Sequence, residues 1–131
     1  GTSEEKLLIK YIDKVYEKLK PKYDEIFLVR NERHFKIFNF EDGRALEPDF
    51  ILFLVSQTEN ESVHYQVFIE PKGKHLLDTD EWKEKFLISL KETHNLEQLW
   101  KDKKYNIWGL PFYNEGLRMT EFETALNELL D

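Results

Sequence analysis

The chain has 131 residues, of which 40% are hydrophobic and 15% aromatic, with a net charge of −7 and no cysteine. Residues 1–131 therefore form one domain with a single core, disulfides and thiolate metal sites are excluded, and no apolar run approaches the ~20 residues of a membrane span. No Gly-rich loop ending in Lys-Ser/Thr is present, which removes that route to nucleotide binding. With no secretory signal either, a cytoplasmic setting is expected, and the start at Gly1-Thr2 instead of Met leads to the expectation of a processed chain.

The first predicted element is an amphipathic helix from Ser3 to Lys20. Leu8, Tyr11, Ile12, Val15, Tyr16 and Leu19 recur at helical spacing. Thr2 and Glu5 form a capping-box pattern, and Pro21 stops the helix. Two strand-like runs follow, Glu25–Val29 and His34–Phe40, with a turn signal at Asp42-Gly43. Phe50–Val55 and Tyr65–Glu70 are the next two strands, separated by a polar turn from Gln57 to Ser62. Asp78 and Glu81 predict the start of a second helix with Trp82, Phe86, Leu87 and Leu90 as its buried stripe. Leu96–Trp100 reads as a further turn or two of helix. Tyr105–Tyr113 reads as a last strand, limited by Gly109 and Pro111, and Thr120 is expected to cap a final helix carrying Phe122, Ala125, Leu126 and Leu129. The order predicts an α/β domain with a mixed β-sheet flanked by helices.

Two short segments carry the chemistry. Glu47-Pro48-Asp49-Phe50 opens one strand, and Ile69-Glu70-Pro71-Lys72-Gly73 closes the next. Side chains alternate along a strand, so Glu70 and Lys72 point one way and Pro71 the other. Magnesium takes oxygen ligands and keeps several waters beside one or two carboxylates. Asp49 and Glu70 could supply the carboxylates, and the main-chain carbonyl of Pro71 another oxygen. Lys72 would bring a compact positive charge able to orient an attacking water and stabilise charge developing on a phosphorane. Proline is tolerated at a strand end, where a site opens to substrate. A lone Asp before a strand also caps turns, and a Glu-x-Lys pair also occurs as a solvated ion pair. The three residues together favour the metal-ligand reading.

An Asp after Pro followed by Glu-x-Lys on the next strand resembles the PD-(D/E)XK nuclease superfamily. Leu28–Glu32, Gly43–Phe50, Glu70–Leu76, Trp82–Glu84 and Gly109–Asn114 resemble, in order, the C-terminal endonuclease domain of type III restriction enzymes. The resemblance implies a restriction-endonuclease-like core and magnesium-dependent cleavage of double-stranded DNA, with Mn2+ able to substitute. It also implies that the chain is one part of a larger subunit. ATP would then act only through a helicase-like motor region absent from this chain, and recognition would lie in a methyltransferase (modification) subunit. Relatives place a further acidic residue on the first helix or near the first strand. Glu5, Glu17 and Glu32 are candidates, with Glu32 preferred. His75 is a possible accessory group, and Lys74 and Lys83 are candidate DNA contacts, with Lys85 nearby; all four also read as ordinary surface residues. The histidines at 34, 64, 75 and 94 have no zinc-like spacing. Trp100, Trp108 and Phe112 read as core.

The charge of −7 opposes tight DNA binding by this chain alone, since phosphate neutralisation dominates such affinity. Cation-bound carboxylates and a tether to a motor that already grips DNA would ease that conflict. Two alternatives stand beside the nuclease: a non-catalytic docking module that keeps a nuclease-like fold, and a repair or junction nuclease of the same superfamily. The latter expects a basic surface.

Overall fold

The structure is a computed structural model that describes residues 3–32, 35–39, 41–93, 95–98 and 103–130, and for 91–93, 95–98 and 103 the backbone alone. Helix α1, Ser3–Leu19, opens the chain and buries Leu8, Ile12, Val15 and Leu19 at the expected spacing. Tyr16, expected on that stripe, lies on the exposed side. The Thr2 cap lies outside the described residues. Strand β1, Glu25–Arg30, follows. Where one strand over His34–Phe40 was expected, Ile37–Phe38 (β2) is the strand found among the described residues of that range, and it pairs with Ala45–Leu46 (β3) in a small separate ribbon. His34 and Phe40 lie outside the described residues. The ribbon turns at Gly43, whose φ of 74° suits glycine.

Strands β4, Phe50–Gln57, and β5, Ser62–Ile69, form an antiparallel hairpin with Phe50 opposite Ile69. Helix α2, Glu81–Thr93, then crosses over the sheet, and β7, Lys103–Gly109, returns parallel to β5. Between them Asn95–Gln98 is an edge strand, β6, antiparallel to β7, and not helical turns. Nothing in four residues of mixed polarity signals this; pairing with β7 decides it. Trp100 lies outside the described residues. The sheet order is β1-β4-β5-β7-β6, a mixed sheet. Helix α3, Met119–Asn127, closes the chain. Thr120 falls inside its first turn, and the flanking Arg118 makes no side-chain capping bond.

Strand alternation divides the core. Phe50, Leu52, Leu54, Val67 and Ile69 face α1 and α3, where they meet Leu8, Ile12, Phe122 and Leu126. Ile51 and Phe68 face α2 and meet Phe86, Leu87, Leu90 and Phe112. Gly109 lets α2 approach the sheet: a Cβ there would fall 2.1 Å from the Leu87 carbonyl oxygen. Trp108 is half-buried against Tyr65. Among the described residues no helix is long and apolar enough to cross a membrane.

Candidate active site at the carboxyl end of the parallel strands

The chain continues past β5 and β7 side by side. The Tyr113 N–H donates to the Glu70 carbonyl at 2.9 Å, and the Lys72 N–H donates to the Tyr113 carbonyl at 3.0 Å. Both bonds leave Pro71 bridged to Tyr113 with its own N and C=O turned to the other side, where the ladder to β4 has ended. The missing donor of Pro71 thus removes no ladder bond. This place, the carboxyl end of parallel strands joined by a crossover helix, is where α/β sheets hold their ligands.

Asp49 is fixed from the neighbouring strand end. Its carbonyl accepts from the Asn31 N–H at 2.8 Å, and Asn31 Nδ2 donates to the Pro48 carbonyl at 2.8 Å. Its own N–H donates to Glu70 Oε1 at 2.8 Å. The two carboxyl groups lie close enough for each to shift the other's titration. Glu70 is 4% exposed. Burial, and then the charge of Asp49, push its carboxyl up to about 7, although Lys72 opposes this. Burial also raises Asp49, and the nearby charge of Glu5 adds to it. Like-charged carboxyls held together in a dry site make a strong demand for a cation.

Lys72 Nζ stands 3.6 Å from Glu70 Oε2 and 2.8 Å from Asp80 Oδ2, with 11% of its side chain exposed. Asp80, just ahead of α2, and the Phe112 ring close over this strand end. Burial alone would lower its pKa, but the Asp80 hydrogen bond and the charges of Glu70, Asp80 and Asp49 outweigh that and raise it. Lys72 is therefore a fixed ammonium. Asp80 is correspondingly held below the ordinary carboxylate range, first by the Lys72 hydrogen bond.

The structure thus brings Asp49, Glu70, Pro71 and Lys72 to one place. Asp49 stands between two openings. A cleft of about 510 Å3 is lined by Glu4, Glu5, Asp49, Pro71, Lys72, Lys74 and His75, among others, and one of about 300 Å3 by Glu5, Arg30, Asn31, Glu32, Glu47 and Asp49. Glu5 borders both and is tied to β1 by an ion pair to Arg30 at 3.1 Å. Of the three acidic candidates, Glu5 and Glu32 line openings that contain Asp49, and Glu17 pairs with Lys20 on the exposed side of α1 at 3.7 Å. Lys74 and His75 are exposed on the wall of the larger cleft. Lys83 lies 3.8 Å from Asp80 Oδ1, and Lys85 pairs with Glu81 on the outer face of α2.

The donor set fits a hard divalent cation. Two apposed carboxylates and a strand-end carbonyl are oxygen donors of the kind magnesium takes, with waters completing its shell. Glu4 Oε2, from the same cleft, is buried and has no hydrogen-bond partner among the described residues. Among the described residues no group of three or more acidic or histidine side chains converges.

Sequence reasoning passed over Asp80 and Asn114. Asp78 was expected to open α2, yet the Lys83 N–H bonds to the Asp80 carbonyl at 2.9 Å and the helix starts at Glu81. Asp80 directly precedes the helical run and follows Lys72 by eight residues, a spacing that signals nothing by itself. Buried Asn114 donates from Nδ2 to the Lys72 carbonyl at 2.9 Å.

Residues 1–126 match the model of a family described as HI_1054_C, C-terminal domain. The chain is 44% identical over 124 residues to an uncharacterized protein of Haemophilus influenzae, a match covering 88% of this chain and 27% of that protein. It therefore spans about a quarter of the length of the curated relative it matches. No solved structure matches.

Proposed function

The chain belongs to the HI_1054_C family, and we propose that it is a magnesium-dependent endonuclease domain with a restriction-endonuclease-like core, acting on double-stranded DNA as part of a type III restriction subunit. The observation that carries this reading is the meeting of Asp49, Glu70 and Lys72 at one sheet end, with the lysine 3.6 Å from Glu70 and the Asp49 N–H bonded to the same carboxylate. The family's description as a C-terminal domain and the short share of the relative that is spanned support a place within a longer polypeptide. The motor region and the modification subunit are what the same resemblance implies.

Asp49, Glu70 and the Pro71 carbonyl would hold the cation, which when bound supplies Lewis-acid polarisation of a phosphoryl oxygen and a lower pKa for water. Glu70 must give up its proton to serve. Lys72, charged throughout, stands beside Glu70 where an attacking water or a non-bridging phosphate oxygen would meet it. Its fixed ammonium stabilises negative charge that grows as the phosphorane forms. Lys74 and His75 line the cleft through which a DNA strand would reach the carboxylates.

The test is cleavage of duplex DNA by the intact protein with magnesium, compared with Asp49→Asn, Glu70→Gln and Lys72→Met. Asp49→Asn and Glu70→Gln should abolish cleavage, and Lys72→Met should lower its rate by ~10²–10³. Undiminished cleavage by any two overturns the nuclease reading and leaves the docking module.

A further inference from the structure

Lys72 is fixed at both ends, and by different elements. Its backbone N–H donates to the Tyr113 carbonyl at 3.0 Å and its carbonyl accepts from Asn114 Nδ2 at 2.9 Å, so the side chain leaves the strand in a set direction. It passes Phe112, whose ring centroid lies 5.3 Å from Nζ. At the far end two carboxyl groups compete for the ammonium. Asp80 Oδ2 has it at 2.8 Å, a direct hydrogen bond; Glu70 Oε2 stands at 3.6 Å, beyond one. Asp80 is itself immobilised, because its carbonyl accepts the first helical N–H bond of α2, from Lys83 at 2.9 Å.

We propose that Asp80 is a positioning residue that draws the Lys72 ammonium off Glu70, so that the lysine stands beside this carboxylate without occupying it. The inference rests on the metal-site reading above. A carboxylate directly paired with an ammonium has part of its charge and one oxygen committed, and is a poorer ligand for a divalent cation. Without Asp80 the four-carbon stem could swing by less than an ångström and close on Glu70, whose Oε2 already stands at 3.6 Å. Asp80 is needed so that one lysine and one glutamate can serve the same site in separate roles.

Two measurements test this. The first is the 1H–15N spectrum of lysine ammonium groups in the metal-free chain, with Lys72→Met identifying the Lys72 signal. A hydrogen-bonded, sheltered ammonium should give a persistent signal that Asp80→Asn abolishes or shifts and Asp80→Glu restores. A Lys72 signal unchanged in Asp80→Asn overturns the pairing.

The second is a Mn2+ titration read as a double-mutant cycle. Asp80→Asn should weaken Mn2+ binding about fivefold in the natural background, within the coupling expected of residues in direct contact. In Lys72→Met it should change the affinity less than about twofold, because no ammonium remains to collapse on Glu70. Equal losses in both backgrounds show that Asp80 acts only through its charge, and overturn the inference while leaving the metal site standing. Failure of the unaltered chain to bind Mn2+ overturns the metal-site reading itself, and the purpose assigned to Asp80 with it.

Discussion

The two ends of strand β5 carry similar residue types and treat them in opposite ways. At the amino end Glu61 pairs with Lys104 at 3.2 Å, with 41% and 46% of the side chains exposed. Next to them Ser62 Oγ meets His64 Nε2 at 2.8 Å, and His64 stacks on Tyr105. At the carboxyl end Glu70 and Lys72 are 5% and 11% exposed, and a third charge, Asp80, is drawn in. Water screens the first group and each charge there has a neighbour of its own. The second group carries two carboxyls against each other and one lysine shared between Glu70 and Asp80. Burying charge is costly unless pairing is complete. Here Glu70 keeps its proton up to about pH 7. An arrangement that buries charge at one end only of an otherwise ordinary strand is what the proposed metal site requires.

The sharpest test of this contrast is cleavage by the intact protein. Lys72→Met should lower the rate by ~10²–10³, the usual loss when one preorganised electrostatic stabiliser is removed. Lys104→Met, at the other end, should leave it unchanged. Lys72→Met should also cost stability, because the lysine is largely buried between Glu70 and Asp80. A thermal melt that is unaffected, with cleavage intact, would make the two ends equivalent.

Next in size is Gly109→Ala. A Cβ there meets backbone atoms of Leu87 at 2.1 and 2.6 Å, and backbone cannot swing aside. The cost should be ~1–3 kcal/mol or more. Because α2 must move as a body, Asp80 moves with it, and the Lys72 ammonium signal should change too. Gly116→Ala is the control: its nearest neighbour is Asn114 Oδ1 at 3.6 Å, ordinary contact, and denaturant unfolding should shift by less than ~0.5 kcal/mol.

The pH response separates the ends again. Glu70 has its folded pKa raised from 4.5 to about 7, so the folded chain holds this proton more tightly than the unfolded one. Its contribution to stability is fully present below pH 4.5 and is lost as pH rises through about 7. With a chelator present, the melting temperature should fall across that window. Magnesium should reverse the trend, because it binds the deprotonated pair and displaces the proton. Asp49→Asn removes the neighbouring charge that helps raise Glu70, and should flatten the chelator curve and abolish the magnesium effect. A melting temperature that rises from pH 5 to 7 with chelator present contradicts the buried-pair reading.

Much of this was legible in the chain. Leu8, Ile12, Val15 and Leu19 gave α1 away because helix period and burial coincide there. Apolar runs disclosed β4 and β5, and with them the parity that sets Glu70 and Lys72 on one side. What stayed hidden depends on contacts distant in sequence. Asn95–Gln98 is a strand because β7 lies beside it, and Lys72 is buried because Asp80 and Phe112, distant in sequence, close on it. Asp80 belongs to the site for the same reason. No local pattern links a residue opening a helix to a lysine eight positions earlier, and an Asp two residues before it made the better capping box.

The smallest expected effect completes the contrast. Glu61 and Lys104 lie opposite the start of a strand pair, each nearly half exposed. Exposed pairs of this kind contribute ~0–1 kcal/mol, because water already solvates both charges and ordering two long side chains offsets the attraction. Lys104→Met should therefore shift denaturant unfolding by less than ~0.5 kcal/mol. Whatever shift appears should vanish in 1 M salt, where charges are screened beyond ~3 Å. The effect of Lys72→Met should survive that salt, since its partners are shielded from the ions as they are from water. If both substitutions fade together as salt is added, the carboxyl end of β5 is as wet as the amino end. The raised Glu70 pKa would then lose its cause, and the demand for a cation would go with it.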